Sequence, residues 1–211
     1  MKELDFIYKR KSIRDYKEGI VPKEDILKLL EAATYAPSPK NQQNWHFVVV
    51  QDKEKIEKMA EAVTKSHTHI ASLAKDEKDK RRFMNVLPYY LNFQRSSCTI
   101  IVYANEYDLI DEKILRDNNA NEDIIEILKS PQSCAQGIGA AIENFLLAAS
   151  ALGYGACYMT GPAHAKKEIE EIVGFNKDGY SLMAMISLGI ADDNTPPQAP
   201  RKPLEEVVTF I

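Results

Sequence analysis

The spacing of apolar positions divides the chain into helices and strands. Between Pro22 and Tyr35, residues Ile26, Leu29, Leu30 and Ala33 recur at helical spacing; Pro22 suits a first turn, and Pro37 and Pro39 close the segment. Lys53–Val63 repeats the pattern with Ile56, Met59, Ala60 and Val63. The longest helical stripe covers Ser133–Leu152: Ile138, Ala141, Ile142, Phe145, Leu146 and Ala149 share one broad face, and Gly153 supplies the stop. A short helix is expected over Glu3–Lys9. Trp45–Val50, Cys98–Ala104, Gly155–Thr160 and Leu182–Ile190 read as strands, Trp45–Val50 as a short continuous apolar run and so a buried one.

Other stretches lack such a pattern. Lys75–Arg82 is a dense run of mixed charge, expected as a solvated helix or loop. Asp108–Asp123 is acidic and Asn-rich with no firm period, which predicts an excursion over the surface. Asp192–Pro203 contains Pro196, Pro197, Pro200 and Pro203, so it is expected to be extended. It leads to the apolar end Val207–Ile211, which must add a strand to its own sheet or pack on another subunit. These alternatives stand level. With no repeat, low-complexity tract or linker, residues 1–211 read as one domain of the mixed α and β kind.

Composition narrows the classes. Hydrophobic residues make up 45% and charged residues 27%, enough for a real core and too apolar for disorder. A balance of 27 Lys+Arg against 31 Asp+Glu, net -4, argues against a nucleic-acid coat. No apolar run nears the ~18 residues of a membrane span. The run Ala184–Ala191 is broken by Ser187 and Gly189, and Met1–Asp5 carries two acids and no apolar segment, so no secretory signal is expected. Cys98, Cys134 and Cys157 are widely spaced and form no CxxC pair; this disfavours disulfides and structural zinc and fits a cytoplasmic protein. His67 and His69, two apart without matching acids, make a poor metal site; His46 reads as a core or edge residue and His164 as exposed.

Four segments carry candidate chemistry. Lys9-Arg10-Lys11-Ser12-Ile13-Arg14 sets four cations and a hydroxyl together with no acid. Alone, it reads first as the solvated basic end of a helix; a phosphate held by the Arg10 and Arg14 forks is the alternative. Pro37-Ser38-Pro39-Lys40-Asn41-Gln42-Gln43-Asn44 is rich in amides, whose donors and acceptors suit a planar heterocycle, or else it is a surface loop beside a core Trp45. Gly153–Pro162 leads a helix into a strand ending Thr160-Gly161-Pro162, where the glycines serve either a ligand or a turn. Arg201 is a lone cation in the tail.

Taken in order, these segments resemble the FMN-dependent nitroreductase family. The resemblance rests on Arg10-Lys11-Ser12-Ile13-Arg14, on Ala36-Pro37-Ser38 with Asn41-x-Gln43-x-Trp45-x-Phe47, on Glu143-Asn144-Phe145-Leu146-Leu147-Ala148-Ala149 running into Gly153-Tyr154-Gly155, and on Arg201-Lys202-Pro203-Leu204-Glu205-Glu206-Val207. It implies an α+β nitroreductase-like fold with a central mixed or antiparallel sheet flanked by helices and a C-terminal segment reaching the partner subunit. It also implies a homodimer with FMN at the interface, NADH or NADPH as transient donor, and a small-molecule acceptor such as a nitroaromatic or quinone. By carry-over, Arg10, Lys11, Ser12, Arg14 and Arg201 hold the phosphate and ribityl chain. Pro37, Ser38 and Asn41 approach from the partner, and Met159, Thr160 and Gly161 line the ring, with a backbone N–H near its central nitrogen. No acid, base, nucleophile or metal is implied, since the flavin carries the chemistry. Alternatives are FMN storage or redox sensing with little turnover, and a divergent reaction such as reductive dehalogenation or flavin cleavage. The chain departs from the family pattern at Asn44, where Pro is common, and at Ala199, where Lys is common. Residues 65–92 match no motif; in relatives that region often shapes the substrate pocket.

Overall fold

The computed structural model describes residues 3–195 and 197–211; Met1, Lys2 and Pro196 of the expectations above lie outside them. Five strands form one antiparallel sheet: β1 (Tyr16–Lys17), β2 (Trp45–Val50), β3 (Cys98–Ala104), β4 (Tyr154–Met159) and β5 (Ser181–Ala191). The eleven-residue β5 is its centre. One edge of β5 pairs with β3 (Cys98↔Leu188 to Ala104↔Ser181) and then β1 (Tyr16↔Ala191), and the other pairs with β4 (Tyr154↔Ile190 to Met159↔Met185). β2 pairs with the far edge of β3.

Why β3 reads as an unbroken apolar run follows from its place. Every residue is buried, and successive side chains enter different cores: Cys98, Ile100, Val102 and Ala104 join one, Ile101 and Tyr103 the other. The first core packs helices α2 (Lys23–Thr34) and α8 (Ser133–Ala151) against the sheet through Leu29, Ile142, Phe145 and their neighbours. The second packs α3 (Lys53–Ser72) and α9 (Lys166–Val173) through Met59, Val63 and Ile169. Helices therefore cover both faces. Local signals set the helix ends: the Asp52 carboxylate accepts from Glu54 N at 2.9 Å and Lys55 N at 3.3 Å to start α3. Gly153 follows α8 with a left-handed φ of 82°.

Two expectations change, and two that were left as alternatives are narrowed. α3 runs on to Ser72, well past Val63, because His67 and Ala71 continue its buried face. The 108–123 stretch is no irregular excursion: it holds α6 (Ile110–Asp117) and the start of α7 (Glu122–Lys129). Their apolar residues Ile110, Ile114, Ile124 and Ile127 face outward and only Ile125 is buried, so the usual link between period and burial is missing. The charge run becomes α4 (Glu77–Met84), capped by Asp76, followed by the short α5 (Leu87–Tyr90). The apolar end adds no strand to the sheet; Val207, Val208, Phe210 and Ile211 are all exposed.

Candidate functional site

Only the start of the basic cluster is a helix end. α1 (Asp5–Lys9) stops at Lys9, Arg10 is already extended, and the following residues run beside β4, with Ile13 N donating to Ala156 O at 2.9 Å. This pins the side chains of residues 10–14 to the edge of the sheet. The Arg10 guanidinium pairs through Nε with Glu143 Oε1 of α8 at 3.0 Å. Gln198 Nε2 donates to Arg10 O at 3.1 Å, which brings the Pro-rich tail over the cluster. Arg10 and Arg201 consequently line one cavity of about 480 Å³, together with Tyr8, Glu143, Gln198 and Ala199. Arg201 Nη1 donates to Ala199 O at 2.7 Å, so the position that departs from the family pattern still serves through its backbone.

A second cavity, about 240 Å³, lies where β4 ends. Arg14, Met159, Thr160 and Gly161 line it with Tyr89, Tyr90, Cys157 and Tyr158. Burial pushes the Cys157 thiol up, against the opposing pull of Arg14 and of hydrogen bonds from Ser12, Arg14 and Asn92. A neutral thiol therefore sits beside these cations rather than a competing anion. The structure thus groups Arg10 with Arg201 and groups Arg14 with Met159, Thr160 and Gly161. Lys11 and Ser12 are half-buried in the connecting loop.

Pro37, Ser38 and Asn41 line neither cavity. Their loop is held in an unusual shape, with Lys40, Asn41 and Gln43 all left-handed at φ 51°, 53° and 48°. Such backbone persists only where its surroundings fix it. Two of the amides supply that fixing: Gln42 Nε2 donates to Asp108 O at 3.1 Å and Gln42 Oε1 accepts from Asp108 N at 2.9 Å. Buried Asn44 donates through Nδ2 to Asn105 O at 2.7 Å and to Cys134 Sγ at 3.1 Å. Gln42 and Asn44 are therefore fasteners of the loop. Trp45 is core, only 8% exposed.

Sequence reasoning missed Tyr89 and Tyr90, which come from the 65–92 stretch. Arg14 lies over the Tyr89 ring at 5.6 Å. The Tyr90 ring rests on Gly161 so closely that a Cβ there would fall 2.1 Å from Tyr90 Cε1. A Tyr-Tyr doublet after Pro88 was the available signal, and nothing in it points to Gly161. Also corrected is His164: it is half-buried and faces His67.

Comparison with known proteins decides the family. The nitroreductase family model matches residues 7–190. The chain belongs to the nitroreductase family. A provisionally named NADH dehydrogenase/NAD(P)H nitroreductase of Archaeoglobus fulgidus is 32% identical over 193 residues, 90% of this chain and 86% of the relative. The crystal structure of a BluB-like flavoprotein from Clostridium difficile 630 is 38% identical, covers 100% of this chain and 99% of that one, and superposes with a TM-score of 0.93. A nitroreductase with bound FMN from Bacteroides fragilis, 19% identical, shares the fold over 100% of this chain and 99% of its own, at a TM-score of 0.72. Among the described residues no helix is long and apolar enough to cross a membrane, and no group of three or more His, Cys, Asp or Glu is placed to hold a metal.

Proposed function

We propose that residues 1–211 act as one FMN-binding domain of a cytoplasmic oxidoreductase that passes electrons from NADH or NADPH to a small planar acceptor, such as a nitroaromatic or quinone, in alternating half-reactions. The observation that carries this reading is the cavity shared by Arg10 and Arg201, cations from opposite ends of the chain. The residues fit FMN at both ends. The Arg10–Glu143 pair occupies the Nε edge of the guanidinium, so its Nη edge and Arg201 would take the phosphate oxygens. Arg14 lines the second cavity, where a cation would favour negative charge on the pyrimidine edge. Lys11 and Ser12 would hold the ribityl chain between them, with Met159, Thr160 and Gly161 along the ring.

FMN would supply both the taking and the giving of electrons, so the chain itself needs no acid, base or nucleophile. What the protein contributes is anchoring, orientation and exclusion of water. Tyr89, Tyr90 and Tyr158 wall the second cavity with aromatic surface suited to a planar acceptor.

A homodimer completes the reading. The exposed Val207–Ile211 end has no place in its own sheet, and an apolar groove of about 400 Å³ lies open beside α2 and α8, lined by Phe6, Ala32, Tyr35, Leu147, Ala148 and Ala151. A second copy would cover both and bring Pro37, Ser38 and Asn41 toward the flavin of its partner. The three unpaired, buried cysteines suit a reducing compartment.

The test is an absorption spectrum of the purified protein after incubation with FMN and gel filtration, followed by anaerobic NADH and NADPH. Flavin that bleaches, then recovers with p-benzoquinone, is the expected result and identifies the donor. Flavin that neither donor bleaches would favour the storage or sensor alternative, and no retained flavin would overturn the reading.

A further inference from the structure

A buried histidine pair lies behind Tyr90. His67 of α3 is 0% exposed, and its Nε2 lies 3.0 Å from the Phe83 carbonyl oxygen in α4. Its ring stacks on Phe83 at 3.9 Å and meets Tyr90 edge-on at 5.5 Å. Its Nδ1 lies 3.4 Å from His164 Nε2, and the His164 ring is 5.9 Å from that of Tyr90. His164 follows Gly161 by one short turn, and Ser66 Oγ donates to its carbonyl at 2.9 Å.

These contacts assign the protons. A carbonyl only accepts, so His67 Nε2 carries a hydrogen and donates to Phe83. In neutral His67, Nδ1 is then an acceptor, and His164 Nε2 must donate to it. This leaves His164 Nδ1 as a bare lone pair, and that atom is buried with no partner. Both rings must be neutral for the arrangement to hold. A proton on His67 Nδ1 would set two donors face to face unless His164 changed tautomer, which moves its hydrogen to the buried Nδ1. A proton on His164 Nδ1 would bury an N–H with nothing to accept it.

We propose that the His67–His164 pair is a positioning device that holds Tyr90 against Gly161 and releases it on protonation, so that mild acid opens the ring edge of the site. This rests on the reading that Thr160 and Gly161 border the flavin. The groups facing the pair are Phe83 of α4, Tyr90 of α5, Ser66 of α3 and Glu168 of α9. His164 is held below its ordinary value by burial and by His67, with Glu168 opposing. The closed form therefore binds fewer protons than the open one below the free-histidine value of about 6.5, and opening gains as pH falls. One proton gives a gain of up to about tenfold between pH 7.5 and 5.5.

Amide hydrogen exchange of residues 84–92, corrected for the intrinsic pH dependence of exchange, tests this directly. Protection in the wild type should fall several-fold between those pH values while β3 stays constant. H164Q keeps an N–H donor toward His67 and does not titrate, so its protection should be flat. G161A forces a methyl group into the Tyr90 ring and should be poorly protected at both pH values. A flat wild type, an H164Q variant with the wild-type fall, or a G161A variant with full protection and the wild-type fall would each overturn the device. In FMN-loaded enzyme, the KM for p-benzoquinone should shift over the same pH range in the wild type and not in H164Q. A KM that stays constant while protection falls overturns the link to the acceptor. Failure to retain FMN would instead count against the proposed function, and the exchange result would remain readable.

Discussion

Replacing Asn92 by Ala should destabilise the protein by an amount the structure allows to be worked out. Asn92 is 5% exposed in the short turn after α5. Its Nδ2 donates to Tyr89 O at 2.6 Å and to Met159 Sδ at 3.0 Å, and its Oδ1 accepts from Ser187 Oγ at 2.7 Å. Ser187 is fully buried on β5 and lies 2.6 Å from the Tyr16 hydroxyl, whose titration burial pushes far above its ordinary value. Two good hydrogen bonds at about 1 kcal/mol each, with the Ser187 hydroxyl keeping Tyr16 as its remaining partner, give a loss of about 2 kcal/mol. For a chain of this size that is a fall in melting temperature of about 4 to 8 °C. Urea unfolding followed by far-UV circular dichroism gives the free energy. The partner variant S187A discriminates the cause: once Asn92 is gone, removing the Ser187 hydroxyl no longer breaks a bond to Asn92, and the double variant should be less destabilised than the sum by about 1 kcal/mol. A loss in N92A below about 0.5 kcal/mol, the range of ordinary surface changes, or strict additivity with S187A would refute the argument.

Two further outcomes follow from the site. R10A/R201A removes two charge-assisted contacts worth about 3 kcal/mol or more together, so FMN affinity should drop at least about a hundredfold by fluorescence titration; unchanged affinity would sink the phosphate assignment. Burial raises the thiol of Cys98 to about 12, that of Cys157, and, with help from Glu106, that of Cys134. At pH 8 a thiol held at about 12 is almost wholly protonated, so Ellman's reagent should label Cys98 in the folded protein more than about a hundredfold slower than in the urea-unfolded one, and Cys134 and Cys157 should also label more slowly when folded. One rapidly reacting thiol in the folded protein would contradict this.

Much of the fold was legible in the sequence because burial and period coincide there. Trp45–Val50 and Cys98–Ala104 are bounded as the apolar runs predict, since β3 is covered on both faces. The 108–123 helices escaped because the spacing of Ile110 and Ile114 serves no core, since both face outward, and acidic and Asn residues surround them. The approach of Arg10 to Arg201 follows from resemblance, and no local pattern reveals it. Tyr90 was invisible for a related reason: its contact with Gly161 joins α5 to the turn after β4, and pairings between distant elements leave no mark on local spacing. The Asn44 departure had the opposite character, a polar residue whose amide proves to be a buried clasp.

The position of β5 has a consequence for how the chain is made. Its partners β1, β3 and β4 all precede it in sequence, yet β1 and β4 join the sheet, and meet the β2–β3 pair, through this one late strand. During synthesis β2 and β3, separated by α3, α4 and α5, pair with one edge of β3 open, and β4 waits for its strand neighbour until residues 181–191 leave the ribosome. Closure of the sheet therefore waits on one late strand, and that long-range pairing sets a slow rate. Until it happens the inner edge of apolar β3 stays open, the kind of surface on which partly folded chains associate.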